Sequence, residues 1–204
     1  MAQGFLQPCN ENEEMETVGM RYLKELVSRS FFQDFEQKIG YFYTFKMHDL
    51  MHDLALSVSK NECFTVTSSK QVISRKVRHL SFVDANIVRG VLPNLIVNFD
   101  HLRTIFFPFY EERPSQSFVK SCISKFSLLR MLDLRNSDIE VLPKSVGNLK
   151  QLRYLDLACN LKMKKLPNSI CKLQSLQTLI LIRCEELQQL PRDIGHLINL
   201  RMLI

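Results

Sequence analysis

Two near-copies of one tripeptide, Met47-His48-Asp49 and Met51-His52-Asp53, hold the residues of this 204-residue chain whose types and spacing could do chemistry. His48 and His52 lie four apart, so a helix through them would put both imidazoles on one face, as zinc-binding H-E-x-x-H does. Asp49 stands where that motif has Glu, lacks the reach a general base needs, and no third ligand stands out, so no metal is expected. A plainer reading has Asp49 complementing a helix N-terminus and His48 satisfied in a partly buried place. Glycines at 4, 19, 40, 90, 147 and 195 never form the G-x-x-x-x-G-K-[ST] loop that cradles phosphates. No nucleophile elbow or other catalytic spacing occurs, and an enzyme is not expected.

The elements that must hold these residues follow from periodicity. Glu13 to Ser28 places Met15, Val18, Tyr22, Leu23, Leu26 and Val27 on one side at helical spacing, with acidic residues early as the helix dipole favours. Phe31 to Glu36 and Tyr41 to Lys46 are aromatic-rich and flank a Gln-Lys-Ile-Gly connection, which predicts a hairpin. Met47, Met51, Leu54 and Val58 return to helical spacing up to about Lys60. Helix, hairpin and helix make a small winged-helix-like module. A DNA-reading winged helix needs basic residues clustered on its second helix, and His48 to Lys60 carries only Lys60.

A different pattern takes over further on. L-x-x-L-x-L occurs at Leu129/Leu132/Leu134, Leu152/Leu155/Leu157 and Leu176/Leu179/Leu181, with starts 23 and then 24 residues apart, and a fourth copy opens at Leu200 and Leu203. Each complete copy runs on into Leu-Pro, at Leu142-Pro143, Leu166-Pro167 and Leu190-Pro191. Leucines two apart put both side chains on one side of a short strand, so successive strands can stack into a solenoid. Ser137, Asn160 and Cys184 hold the ninth position, where small polar groups can bond the turning backbone, and Val146/Leu149, Ile170/Leu173 and Ile194/Leu197 close the convex side. Val77-x-x-Leu80-x-Phe82 and Leu102-x-x-Ile105-x-Phe107 read as degenerate first repeats, and Tyr110 to Gln116 as a polar surface loop. Ile204 falls inside a strand, which reads as a fragment with an apolar edge. The expected class is α+β: a partial winged-helix module over 1–70, then a solenoid of short parallel strands over 71–204, irregular to about 126 and regular over 127–204.

Net charge is +6, but Lys144, Lys150, Arg153, Lys162, Lys164, Lys165 and Lys172 are assigned to turns and the outer side of the repeats, a solvated face rather than a nucleic-acid footprint. No window is apolar enough to span a bilayer. The start has no basic n-region or apolar h-region, no Asn is followed two residues later by Ser or Thr, and the six cysteines form no C-x-x-C pair. They read as reduced core thiols, and the cytosol or nucleus is the expected compartment. On the concave side the outward positions are Met131, Asp133, Arg135, then Tyr154, Asp156, Ala158, then Thr178, Ile180, Ile182, a face running from charged to apolar. Tyr154, Ile180 and Ile182 are expected to form an exposed apolar patch that meets a protein partner.

The segments VGMRYLKELVSRSFFQ, FKMHDLMHDLALSVS, VRHLSF, HLRTIFFP, LRMLDL and GNLKQLRYLDL, in that order, resemble the coiled-coil class of plant intracellular disease-resistance proteins, the nucleotide-binding leucine-rich-repeat receptors. The resemblance covers nearly the whole chain. It implies that residues 1–70 are the end of an NB-ARC winged-helix domain, with Met47-His48-Asp49 as its Met-His-Asp motif. His48 would then donate to the ADP β-phosphate in the resting state, Asp49 would hold the loop and helix start, and Met47 would anchor the motif in the core. It further implies that ADP or ATP is a cofactor of the full-length receptor only, none being expected for this chain alone. The repeats would bind a pathogen effector or a guarded host protein and restrain the switch. A free-standing repeat adaptor with no nucleotide role is the alternative.

Overall fold

In the computed structural model, residues 2–6, 13–37, 43–59, 61–68, 71, 73–90, 92, 101–108, 113–137 and 139–204 are described. Cys9, the hairpin turn expected at 38–40, Lys60 and residues 110–112 of the expected loop lie outside them. The chain divides into two compact units between Lys60 and Asn61.

In the first unit, helix α1 spans Met15–Ser28 and ends where the Arg29 N–H bonds back to the Glu25 carbonyl. Val18 is the buried residue of this helix, so most of the apolar side expected of it stays partly open. Strand β1, Phe32–Gln37, pairs antiparallel with β2, Tyr43–Met47, with Phe32 opposite Met47. Ring contacts bind the hairpin: Phe45 lies 4.4 Å from Phe32 and 6.5 Å from Phe35 between centroids. Helix α2 runs over Asp49–Ser59. Met47 is therefore the end of a strand and not the first residue of the helix, because the hairpin ladder captures it first.

The second unit is a seven-stranded parallel sheet in strict chain order. Its strands are β3 Cys63–Val66, β4 His79–Phe82, β5 Thr104–Phe106, β6 Met131–Asp133, β7 Tyr154–Asp156, β8 Thr178–Ile180 and β9 Met202–Leu203. The register runs Leu80, Ile105, Leu132, Leu155, Leu179, Leu203, one apolar residue per strand stacked in a column. Strand β3, which the repeat pattern did not announce, joins the same sheet with Phe64 opposite Leu80 and Val66 opposite Phe82. That strand moves the division ten residues ahead of the boundary at 70 read from the sequence.

Strands β6, β7 and β8 each exit through one residue in the left-handed region: Asn136, Cys159 and Arg183, with φ of 50°, 60° and 56°. They occupy the same place in successive repeats, so the backbone turns there by coil geometry and not by side-chain preference. The convex return after Pro143 and Pro167 is a short 3₁₀ helix in each repeat, Lys144–Asn148 and Asn168–Lys172, followed by Ile194–His196. These helices pack so closely that a Cβ on Gly147 would meet the Ser169 carbonyl oxygen at 2.6 Å, which is why glycine sits there. The irregular repeats close differently. Helix α3, Ala85–Arg89, and helix α4, Gln116–Lys125, cover them, and α4 is capped by Ser115, whose Oγ accepts from the Phe118 N–H at 3.2 Å. The polar stretch expected to continue to Gln116 thus gives way to a helix whose Phe118, Val119, Cys122 and Ile123 are buried. Phe82, Phe107 and Phe118 meet there with centroids 5.2 to 6.1 Å apart, the larger rings filling the wider gap these repeats leave.

Candidate functional site

His48 occupies the junction between β2 and α2. Its N–H bonds the Phe31 carbonyl at 3.2 Å, and its own carbonyl receives the His52 N–H at 2.8 Å, the first hydrogen bond of the helix. Asp49 follows in the first turn, where its charge suits the helix dipole. Both side chains are exposed. Met47 is 37% exposed, so the anchoring in a core that the resemblance implied is not among its contacts here. His52 leans toward Asp53 at 3.8 Å, and no group of three or more His, Cys, Asp or Glu able to hold a metal occurs among the described residues. No residue of α2 is buried: Leu50 is 75% exposed, Leu54 54% and Val58 79%, a stripe one turn apart on a single face.

The concave face differs from its expectation. Asp133, Asp156, Thr178 and Ile180 are buried, leaving Met131, Arg135, Tyr154 and Ile182 partly open. The apolar patch built on Ile180 is therefore largely closed. Strands this short stack about 4.8 Å apart, so outward side chains of neighbouring repeats cover one another. Arg135 folds over both acids: its guanidinium reaches Asp133 Oδ2 at 2.8 Å and Asp156 Oδ2 at 3.3 Å. The Tyr154 hydroxyl donates to Asp156 Oδ2 at 3.0 Å, and the Ala158 N–H donates to Asp156 Oδ1 at 2.9 Å.

Two carboxylates share this one guanidinium, and burial pushes the Asp156 carboxyl above the ordinary carboxylate range, with the Asp133 charge adding to the rise. A folded value above the unfolded one means that the contribution of the neutral acid is fully present below the ordinary pKa and is lost as pH rises through the folded value. Asp156→Asn, whose single oxygen still accepts from the Ala158 N–H while its amide NH2 faces the Tyr154 hydroxyl oxygen, is accordingly expected to melt no lower than the parent at pH 7, with the two curves converging near pH ~3. Thermal denaturation by circular dichroism checks this, and a clearly lower melting temperature at pH 7 would count against it.

A second charged feature escaped the sequence reading. The residue before each strand is Arg78, Arg103, Arg130, Arg153, Gln177 and Arg201. Backbone hydrogen bonds tie them into one column: the Arg103 N–H donates to Arg78 O at 2.7 Å, Arg130 to Arg103 at 2.8 Å, and Arg153 to Arg130 at 2.9 Å. The ladder continues through Gln177 to Arg201. Arg153 thus belongs to this column and not with the outer-turn lysines. Four successive guanidinium groups stand partly exposed along one flank of the sheet. Burial first, then the Arg130 and Arg78 charges, hold the Arg103 guanidinium below its usual value. Arg78 has a carboxylate neighbour, Glu62, at 3.5 Å, at the same place before β3. Beside the column lies a groove of about 360 Å³ whose apolar lining includes Phe106 and Met131, next to His79 and Thr104. The signal in the sequence was Leu-Arg or Val-Arg ahead of β4, β5, β6, β7 and β9, and only the register makes those arginines neighbours.

Among the described residues, Cys63, Cys122, Cys159, Cys171 and Cys184 form no disulfide, with Cys122 and Cys171 buried, Cys159 and Cys184 partly buried, and Cys63 exposed. The core-thiol reading fits four of them to differing degrees and fails for Cys63. No helix among the described residues is long and apolar enough to cross a membrane.

Comparison with known proteins matches residues 1–55 to the disease resistance protein winged helix domain and residues 109–204 to a leucine-rich repeat region. A protein of Arabidopsis thaliana named for disease resistance is 38% identical over 180 residues, 85% of this chain and 12% of its own length. RGA1 of Solanum bulbocastanum, likewise named, is 40% identical over 165 residues, 80% of this chain and 14% of its own. RGA2 from the same species is 38% identical over 153 residues, 73% of this chain and 12% of its own. A solved leucine-rich-repeat protein of Leptospira interrogans is 31% identical, with a TM-score of 0.47, over 55% of this chain and 27% of that one. The chain thus spans about an eighth of the length of the plant relatives it matches. With the winged-helix match first and the stacked repeats after it, the chain belongs to the plant disease-resistance proteins that join a winged-helix domain to leucine-rich repeats.

Proposed function

We propose that this chain is the recognising and restraining part of an intracellular plant immune receptor, binding protein and not catalysing a reaction. The observation that carries the reading is the arginine column: cations held one strand apart beside an apolar groove select an acidic polypeptide segment whose apolar side chains enter the groove. Such a segment belongs either to an effector or guarded host protein, or to another part of the receptor itself, which the repeats hold closed.

The test is direct. A fluorescent peptide rich in Asp, Glu and Leu is expected to bind the 204-residue chain, more weakly as salt rises from ~50 to ~300 mM. Arg103→Glu with Arg130→Glu is expected to weaken binding roughly tenfold or more, whereas Lys162→Glu with Lys164→Glu on the outer turn changes it little. Equal losses in both variants would leave general charge attraction as the explanation and end the proposal.

His48 and Asp49 complete the reading as the ADP-sensing element of the whole receptor, acting in the cytoplasm. Supporting this are their solvent-facing place at a strand-to-helix junction and the uncovered Leu50/Leu54/Val58 stripe, on which a nucleotide-binding domain can rest. In a full-length receptor carrying this segment, His48→Ala or Asp49→Val is expected to give defence signalling without an effector. Variants that accumulate normally yet stay silent would remove the nucleotide role.

A further inference from the structure

A cavity of about 630 Å³ opens at the Leu-Pro steps of the regular repeats, away from the concave face. Its floor is Val141, Leu166 and Pro167, and its charged walls are Lys144, Lys165 and Lys172 against one carboxylate, Asp193, with His196 at the side. The three lysines come from different positions of the repeat: Lys144 opens one 3₁₀ helix, Lys172 ends the next, and Lys165 pairs with Val141 through an isolated parallel bridge. Repeat periodicity alone would not gather them; the packing of adjacent repeats does. Among the described residues none of the three forms an ion pair. A site of this volume lies within the range of small-molecule sites, which run from about 300 to 1,000 Å³.

We propose that this cavity binds a phosphate ester, its phosphates held by the three ammonium groups and its carbon skeleton resting on Leu166 and Pro167. Lysines suit such a ligand because an ammonium on a flexible stem acts as a point charge and needs no fixed bidentate geometry. An apolar floor under a cationic rim favours an organic phosphate over the bare ion. The site is separate from the arginine column, so each can fail without the other.

Isothermal titration of the 204-residue chain with fructose 1,6-bisphosphate tests it, with vesicles carrying phosphatidylinositol 4-phosphate in a flotation arm. Saturable heat with the sugar phosphate marks a free ester as the source, and flotation marks a lipid headgroup; either supports the site if the lysines are needed. K144A/K165A/K172A is expected to weaken binding by about tenfold or more, each lost charge-assisted contact being worth on the order of that factor. These lysines are exposed, so an unchanged melting curve is expected and separates lost binding from lost fold. K162A/K164A, on lysines outside the cavity lining, is expected to leave the affinity within about twofold. The proposal is overturned if neither probe binds, if K144A/K165A/K172A binds as the parent does, or if K162A/K164A weakens binding as much as K144A/K165A/K172A.

Discussion

Leu155→Ala is expected to destabilise the repeats by about 2–5 kcal/mol, more than most single changes elsewhere in the sheet. Leu155 is fully buried and sits between Leu132 and Leu179 in the register column, so its isobutyl group touches the repeat on either side. A solenoid repeat is stabilised chiefly by its two neighbours, so a void there weakens two interfaces at once. The expected signature in urea denaturation, followed by circular dichroism, is a lower midpoint and a broadened transition as the two halves uncouple. Leu203 supplies the control. It occupies the same column but is 47% exposed, and Leu203→Ala should cost under about 1 kcal/mol. Equal costs at the two positions would mean that stacking is not what holds the sheet.

The second large effect belongs to Asn160. Its Nδ2 donates to the Leu134 carbonyl at 2.9 Å and to the Leu157 carbonyl at 2.7 Å, tying two repeats together inside the coil at a residue 1% exposed. Asn160→Ala leaves Leu134 O without that donor in a dry interior, while Leu157 O keeps the Cys184 thiol at 3.1 Å. The Asn160 Oδ1 is itself buried without a partner among the described residues, so losing that atom offsets part of the cost, and about 1–2 kcal/mol follows. Ser137, one repeat earlier at the same position, has a buried Oγ that finds no partner among the described residues. Ser137→Ala should therefore be neutral within about 0.5 kcal/mol or stabilising. Melting curves of the two variants side by side decide the matter, and similar losses would show that the ninth position works by shape alone.

The regular repeats were legible because leucines two apart dictate both strand and facing, and 23- and 24-residue spacing dictates stacking. The irregular first repeats were legible as far as Phe stands in for Leu at Phe82 and Phe107. Strand β3 was not, since Phe64 and Val66 carry the period of two without a leading Leu or a following Leu-Pro. Helix α4 hid behind the proline and polar residues that precede Ser115, which reads equally as loop and as cap. The concave face failed for a different reason. Alternation along a strand says which way Ile180 and Asp156 point, but their burial depends on what the next strand lays across them. The arginine column is the same lesson with the opposite sign. Each arginine is unremarkable within its own repeat, and only pairing between strands makes a feature of them.

Alternation also divides the labour among positions. The inward column from Leu80 to Leu203 fixes the stacking, whereas Met131, Tyr154 and the arginines ahead of the strands touch solvent and leave that stacking alone. Such a scaffold can change what it recognises, residue by residue, without renegotiating its fold. Asp133 and Asp156 are the exceptions: outward by parity but bound under Arg135 and Tyr154, they are tied to the architecture, and a new specificity must be written around them.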